Sequence, residues 1–251
     1  MERGTYIAAS GGILQLKKLE VVNNNLANSS TTGFKRELIL GSKMEFDQTL
    51  AAQLAKDDQY AKADHERTPG AAAVRTVTDF SPGPIENTGN PFDIALRNPK
   101  DFFVIQTAKG NEYTRAGDFT LSAEGRLVTK DGATVLGDGG EISITGPNVA
   151  IEPNGLIRVN GQPTARVQVA RIADTTQLER VGNNRFRLQG GATPETVTPD
   201  LVPQALEKSN VSAITGVIDL ITSQRGFEMY TKSAETIDQM NQAAITQIGR
   251  R

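Results

Sequence analysis

The sequence predicts a mixed fold: N- and C-terminal α-helices forming a coiled-coil-like pair, with a central antiparallel all-β domain between them. Three observations predict it. Apolar residues recur at helical spacing near both ends of the chain. The middle alternates short β-branched or aromatic runs with Asn-Gly and Asp-Gly turn signals. Prolines at 69, 82, 84 and 91 separate the first helix from that middle and forbid a helix across it.

The first helix is expected over residues 5–28. Ile7, Leu14 and Val21 lie one heptad apart, and Ile13, Leu16, Leu19, Val22 and Leu26 widen the stripe. Asn28-Ser29-Ser30-Thr31-Thr32-Gly33 then stops it, because short polar side chains compete for backbone hydrogen bonds and glycine follows. Residues 43–63 carry Met44, Leu50, Leu54 and several alanines and read as a second helical piece, weakened by Asp57-Asp58. Residues 64–92 read as extended chain.

From residue 93 to about 200 the chain reads as β. Candidate strands include 102–106, 119–121, 126–129, 156–159 and 167–172. Between them stand Glu124-Gly125, Asp131-Gly132, Asn154-Gly155 and Asn160-Gly161, pairs that supply the positive φ angles of tight hairpins. No amphipathic helix intervenes, so a parallel sheet is not expected.

Residues 209–249 return to helix, with Ser209-Asn210 able to cap the start. One row runs Ala213, Gly216, Leu220, Ser223, Phe227, Tyr230, Ala234, Ile237, Asn241, Ala244, Ile248 in steps of three and four, a seam of about five heptads. Ile214, Val217, Ile218 and Ile221 broaden its first half. At about 1.5 Å per residue the helix is roughly 60 Å long. The expected organisation is a terminal helical assembly domain from residues 1–35 and 205–251, an extended or partly helical connector over 36–80, and a β-rich domain over 81–204.

Composition narrows the function. Charge is nearly balanced, with 27 basic and 29 acidic residues, so no phosphate-tracking surface and no nucleic-acid partner is expected. Cysteine is absent and the single histidine, His65, sits in a polar run, which leaves no disulfide, no thiolate or His-clustered metal site and no Ser-His-Asp arrangement to expect. No catalytic residue, cofactor or metal is assigned. Asp131-Gly132 and Asp138-Gly139-Gly140 lack the period of a Ca²⁺-binding repeat and read as turns. Asp93, Asp101 and Asp118 read as ordinary charges rather than an acid–base pair. No run of eighteen apolar residues spans a membrane, and the N-terminus lacks a hydrophobic leader core, so the chain is expected to be cytosolic or exported by a route that reads no cleaved signal. A secreted β-rich binding module would want a grouped aromatic surface, and the chain has no Trp and only four Tyr. A carboxylate glycosidase would need two acids at a set separation, which the sequence does not pair.

Exposed apolar seams are costly in water, so each terminal helix needs a partner, and the first available is the other terminal helix, parallel or antiparallel. A two-helix pair still leaves apolar surface open. Small residues at 213, 216, 223, 234 and 244 allow further helices to approach. Packing against copies of the same chain by a rotation that does not close builds a helical filament.

The residues also carry a resemblance. Asn24-Asn25-Leu26-Ala27-Asn28, followed by Thr31-Thr32-Gly33-Phe34-Lys35, is similar to the N-terminal signature of flagellar rod and hook proteins. Thr88-Gly89-Asn90-Pro91-Phe92-Asp93 through Phe102-Phe103, then Tyr113-Thr114-Arg115-Ala116-Gly117-Asp118-Phe119 and Gly125-Arg126-Leu127-Val128, resembles the family's β domain. Leu206-Glu207-Lys208-Ser209-Asn210-Val211 and Arg225-Gly226-Phe227-Glu228 resemble its C-terminal segment. A glycine-containing turn usual before the Phe-Phe pair is replaced here by Arg97-Asn98-Pro99-Lys100-Asp101. Within the family, the chain looks most like the proximal rod subunit, with the distal rod subunit as the alternative.

The resemblance implies a structural, non-enzymatic subunit of the basal-body rod that crosses the periplasm and transmits torque. It implies export through the flagellar type III apparatus without a cleaved signal peptide. The implied partners are copies of the chain and other rod or hook–basal-body proteins, with no nucleic acid and no membrane insertion. The residues assigned to subunit interfaces are Ile7, Leu14, Val21, Asn24, Asn25, Leu26, Asn28, Gly33 and Phe34 on the N-terminal side, and Leu220, Phe227, Tyr230, Ile237 and Ile248 on the C-terminal side.

Overall fold

The computed structural model describes residues 2–41, 74–190 and 193–248. The expected helical piece at 43–63 and His65 lie outside the described residues. The chain divides into two compact units. A helical unit takes residues 1–26, 37–77 and 213–251, and a β unit takes residues 27–36 and 78–212.

The helical unit holds α1 (Glu2–Ala27) and α2 (Ala213–Ile248), of 26 and 36 residues, together with a two-stranded sheet of β1 (Glu37–Gly41) and β2 (Val74–Thr78). The helix pair is antiparallel. Gly11 faces the ring of Tyr230, Gly12 lies over Phe227, Gly226 meets Gln15, and Gly216 meets Leu26, so position falls along α2 as it rises along α1. This settles the direction that the seam pattern alone left open. The row from Gly216 to Ala244 lies on the covered side of α2, with every member at least partly buried.

The β unit starts earlier than residue 93, with β3 (Ile85–Asn87). It continues through β4 (Ile94–Leu96), β5 (Asp101–Thr107), β6 (Gly110–Thr114), β7 (Thr120–Leu121), β8 (Leu127–Val128), β9 (Thr134–Gly137) and β10 (Gly140–Glu141). Next come β11 (Val149–Ile151), β12 (Leu156–Val159), β13 (Gln162–Arg166), β14 (Val169–Arg171), β15 (Leu178–Gly182) and β16 (Arg185–Leu188). β17 (Glu195–Val197), β18 (Leu201–Pro203) and β19 (Ala205–Glu207) close the series. Every pairing described in this unit is antiparallel. The main sheet runs β15-β16-β6-β5-β9-β8-β7. β6 lines one side of β5, and β14 and β9 succeed one another along the other.

β5 shows why the sheet has a core on both faces. Successive side chains of a strand point to opposite sides. Phe103 and Ile105 enter a large apolar cluster with Ile94, Phe119, Leu127 and Val135. Phe102 and Val104 enter a second one with Tyr113, Leu136 and Phe186. Aromatic rings meet edge-on in both, Phe103 with Phe119 at 5.1 Å and Phe80 with Phe186 at 5.1 Å between centroids. The hairpin from β12 to β13 turns on Asn160 and Gly161, at φ of 52° and 82°, the mirror-image turn that the Asn-Gly pair predicts.

Candidate assembly faces and a buried ion cluster

In the helical unit, α1 and α2 cover one side of each other and leave the rest open. Val21 is buried and Leu14, Leu26, Leu220, Phe227, Tyr230 and Ile237 are half-buried in the pair. The side chains of Ile7 and Ile248 lie outside the described residues. Glycines let the helices come close: a β-carbon on Gly11 would stand 2.3 Å from Tyr230 Cε1. On the far side of α2, Ile214, Val217, Ile218 and Ile221 are exposed. Their spacing of three, four and seven makes one stripe, roughly opposite the seam. Ile13 and Leu16 on α1 and Leu38 and Leu40 on β1 are exposed as well.

Asparagines order the end of α1. Asn25 acts as a substitute strand: its Nδ2 donates to Glu37 O and its Oδ1 accepts from Glu37 N, both at 2.8 Å. Asn24 is exposed in the last turn. Asn28 accepts from Thr31 through its carbonyl at 3.1 Å and through its side chain at 3.2 Å.

Within the β unit, the segment after Asn28 runs into an ion cluster. Glu207, at the end of β19, receives Lys35 Nζ on Oε1 at 2.6 Å and Arg115 Nη2 on Oε2 at 2.6 Å. Gly83 N–H donates to Oε1 at 3.0 Å. The three charged side chains are at most 1% exposed. Arg115 also donates to the carbonyls of Leu96, Asn98 and Asp101, and Lys35 donates to Ser81 O at 2.8 Å. Burial pushes the Lys35 amine below its usual range, and the Glu207 carboxylate pulls partly the other way. Two cations share one carboxylate, and backbone carbonyls take the remaining donors, the condition under which buried charge is tolerable.

Gly33 and Phe34 are placed inside this unit. Gly33 has φ of 64°, donates to Glu207 O at 2.7 Å, and presses on the backbone of Arg115 and Ala116 so closely that a β-carbon would lie 2.5 Å from Ala116 N. Phe34 is covered by the Arg180 guanidinium, 4.7 Å from its centroid. Asn184 Nδ2 donates to Thr32 O at 2.7 Å and Arg180 donates to Lys35 O. Asn210 does not cap a helix: α2 begins at Ala213, and the Asn210 side chain accepts from Arg36 N and donates to Asp79 O and Ser81 O. Asp101, read as an ordinary charge, is fully buried and held by Nε and Nη2 of Arg171, at 2.7 and 3.0 Å.

In the sequence Lys35, Arg115 and Glu207 stand within the resembling segments with no role assigned, and Asn210 reads only as a helix cap. The available signal was that each of three separated segments carried one charge of this set. Among the described residues no group of three or more His, Asp or Glu is placed to hold a metal, and no helix is long and apolar enough to cross a membrane.

These segments are also where the chain matches known proteins. Residues 6–35 match the family described as flagella basal body rod protein, residues 98–159 the flagellar hook protein FlgE/F/G D1 domain, and residues 202–247 the flagellar basal body rod FlgEFG protein C-terminal family. A flagellar basal-body rod protein FlgF of Caulobacter vibrioides is 32% identical over 100% of this chain and 99% of its own length. A FlgG of Agrobacterium fabrum is 33% identical over 95% of this chain and 96% of its own. A FlgF of Salmonella typhimurium is 29% identical over 95% of each.

Proposed function

The chain belongs to the flagellar basal-body rod protein family and is a structural subunit of that rod, and from this premise we propose that it polymerises through the open faces of its helix pair and takes the proximal position. The observation that carries the polymerisation is the stripe Ile214, Val217, Ile218 and Ile221, exposed on the side of α2 that α1 does not cover. Four large aliphatic side chains in water cost about 1.5–3 kcal/mol each relative to burial. A neighbouring copy or rod relative offers a face of the same kind. Leu14, Val21, Leu26, Leu220, Phe227, Tyr230 and Ile237 then hold the pair that presents the faces, and Asn24, exposed in the last turn of α1, is assigned to the same interface. Gly33 and Phe34 anchor the segment leaving α1.

The proximal position is supported by likeness to FlgF relatives over the whole chain, and the FlgG relatives at similar identity make the distal position the alternative. On this reading the subunit does no catalysis, leaves through the flagellar type III export apparatus, crosses the periplasm within the rod and binds neither nucleic acid nor membrane.

The chain has no cysteine, so a single thiol is a clean probe. An Ile218→Cys variant is expected to react with maleimide as a monomer and to be protected in isolated hook–basal bodies. Equal labelling in both, with normal incorporation, sinks the assigned face. Labelled copies located next to the hook would favour the distal alternative.

A further inference from the structure

Residues 31–36 cross the β unit and are buttoned into it by Lys35. We propose that this segment is a clasp that makes seating of β3 and β19 conditional on both flanks of the chain.

A proline-rich loop precedes β3. Ser81-Pro82-Gly83-Pro84 has no N–H at either proline and cannot hold itself by a backbone ladder. Its anchors come from elsewhere. Ser81 O accepts from Lys35 Nζ at 2.8 Å and from Asn210 Nδ2 at 3.1 Å. Gly83 N–H donates to Glu207 Oε1, the same oxygen that Lys35 holds. Glu207 is in turn the residue of β19 that pairs with Ile85 of β3. Lys35 therefore sits where the loop, β3 and β19 converge, although 172 positions separate it from Glu207 in sequence.

Charge accounting makes the step conditional rather than global. Without the clasp, Arg115 and Glu207 remain a one-to-one pair, and Arg115 keeps its three carbonyls. The main sheet thus loses no charge balance when the clasp is out. The loop and the β3–β19 pair do lose their shared anchor. The clasp residues arrive from the N-terminal flank, and Glu207 and Asn210 from the C-terminal flank, so seating needs both.

The test is hydrogen–deuterium exchange on the full chain for two variants. Lys35→Met removes the button. Gly33→Ala keeps the ions but puts a β-carbon into the Arg115–Ala116 backbone, lifting the clasp sterically. Both are expected to speed exchange in residues 81–87 and 203–210 by about tenfold or more, with β5 and β9 unchanged. The proposal is overturned if exchange does not change, if it rises only within 31–36, or if β5 and β9 lose protection together with the rest. The first two outcomes deny the coupling, and the third makes Lys35 a general core group.

Discussion

Arg115→Met should do what Lys35→Met does not: open the main sheet. The guanidinium donates to Leu96 O at 3.2 Å and to Asn98 O and Asp101 O at 2.6 Å each, besides its contact with Glu207. Those carbonyls lie on β4, on the turn after it and at the first residue of β5. One cation therefore fastens three consecutive pieces of backbone. Hydrogen bonds to a charged group contribute about 1.5–3 kcal/mol each, and Asn98 O retains the Asp101 N–H, so the carbonyls account for roughly 3 kcal/mol. Breaking a buried ion pair costs about 3–5 kcal/mol, reduced here because Lys35 stays on Glu207. Methionine refills part of the space. The sum is about 5 kcal/mol, comparable with the whole stability of many domains. The readout is amide exchange in β5 and β9, expected to accelerate by about three orders of magnitude or more at 1.4 kcal/mol per tenfold. Arg126→Met, which removes a half-exposed arginine paired with Glu124 and Glu141, is the control and should leave both strands unchanged. If Arg115→Met alters β5 exchange by less than about tenfold, the cluster is not what holds the sheet to β4.

Phe227→Ala removes a half-buried ring that Gly12 and its neighbours pack against, and should destabilise the helix pair by about 2 kcal/mol while leaving the β unit untouched. Assembly into rods should weaken correspondingly, and incorporation at the wild-type level would count against the seam. Asp79 gives a pH signature. Burial pushes its carboxyl up, but the Ser81 N–H and Arg36 outweigh this and hold it below its ordinary value of 3.8. A depressed acid contributes stability above its unfolded value, and that stability is lost as pH falls through the lower, folded value. Protection around Ser81 should therefore persist at pH 4 and fall only below 3.8, and Asp79→Asn should remove that step. A loss of protection already near pH 5, about one unit above the unfolded carboxyl, would contradict the assignment.

How far the sequence could be read follows from which forces are local. The row from Gly216 to Ala244 was legible because steps of three and four fix a single helical face regardless of what covers it. The β12–β13 hairpin was legible because Asn160-Gly161 meets a backbone requirement within two residues. The antiparallel sense of the helix pair was not legible, since either direction buries the same stripe. It is decided by where Gly11 and Gly226 let a large side chain in. The ion cluster was hidden for a different reason. Lys35, Arg115 and Glu207 look like surface charges until the fold brings them together, and only then does mutual compensation make burial tolerable. Asn210 shows the limit of a local rule. It has the side chain of a helix cap, yet Arg36, Asp79 and Ser81 compete for it and prevail, and α2 starts three residues later.

The three segments that match the rod family are therefore not three independent signatures. Gly33 is needed where the chain presses on Arg115 and Ala116, Lys35 and Arg115 are needed because Glu207 is buried, and Glu207 is needed because two cations are. Changing Glu207 alone leaves two cations without their carboxylate, changing Arg115 alone strips three carbonyls of their donor, and changing Gly33 alone brings a steric clash, so the set is constrained jointly although its members lie far apart in the chain. The exposed stripe on α2 obeys another rule. Ile214, Val217, Ile218 and Ile221 ask only for a complementary apolar surface, and aliphatic swaps of similar volume should be tolerated there. A pairwise exchange separates the two cases: Val217→Ile should leave assembly intact, whereas exchanging the charges as Lys35→Glu with Glu207→Lys should fail. Arg115 would then face a lysine at position 207, and the one carboxylate of the cluster, moved to position 35, would no longer be the group Arg115 holds, so normal protection in that double variant would show that position, not charge, is what the cluster supplies.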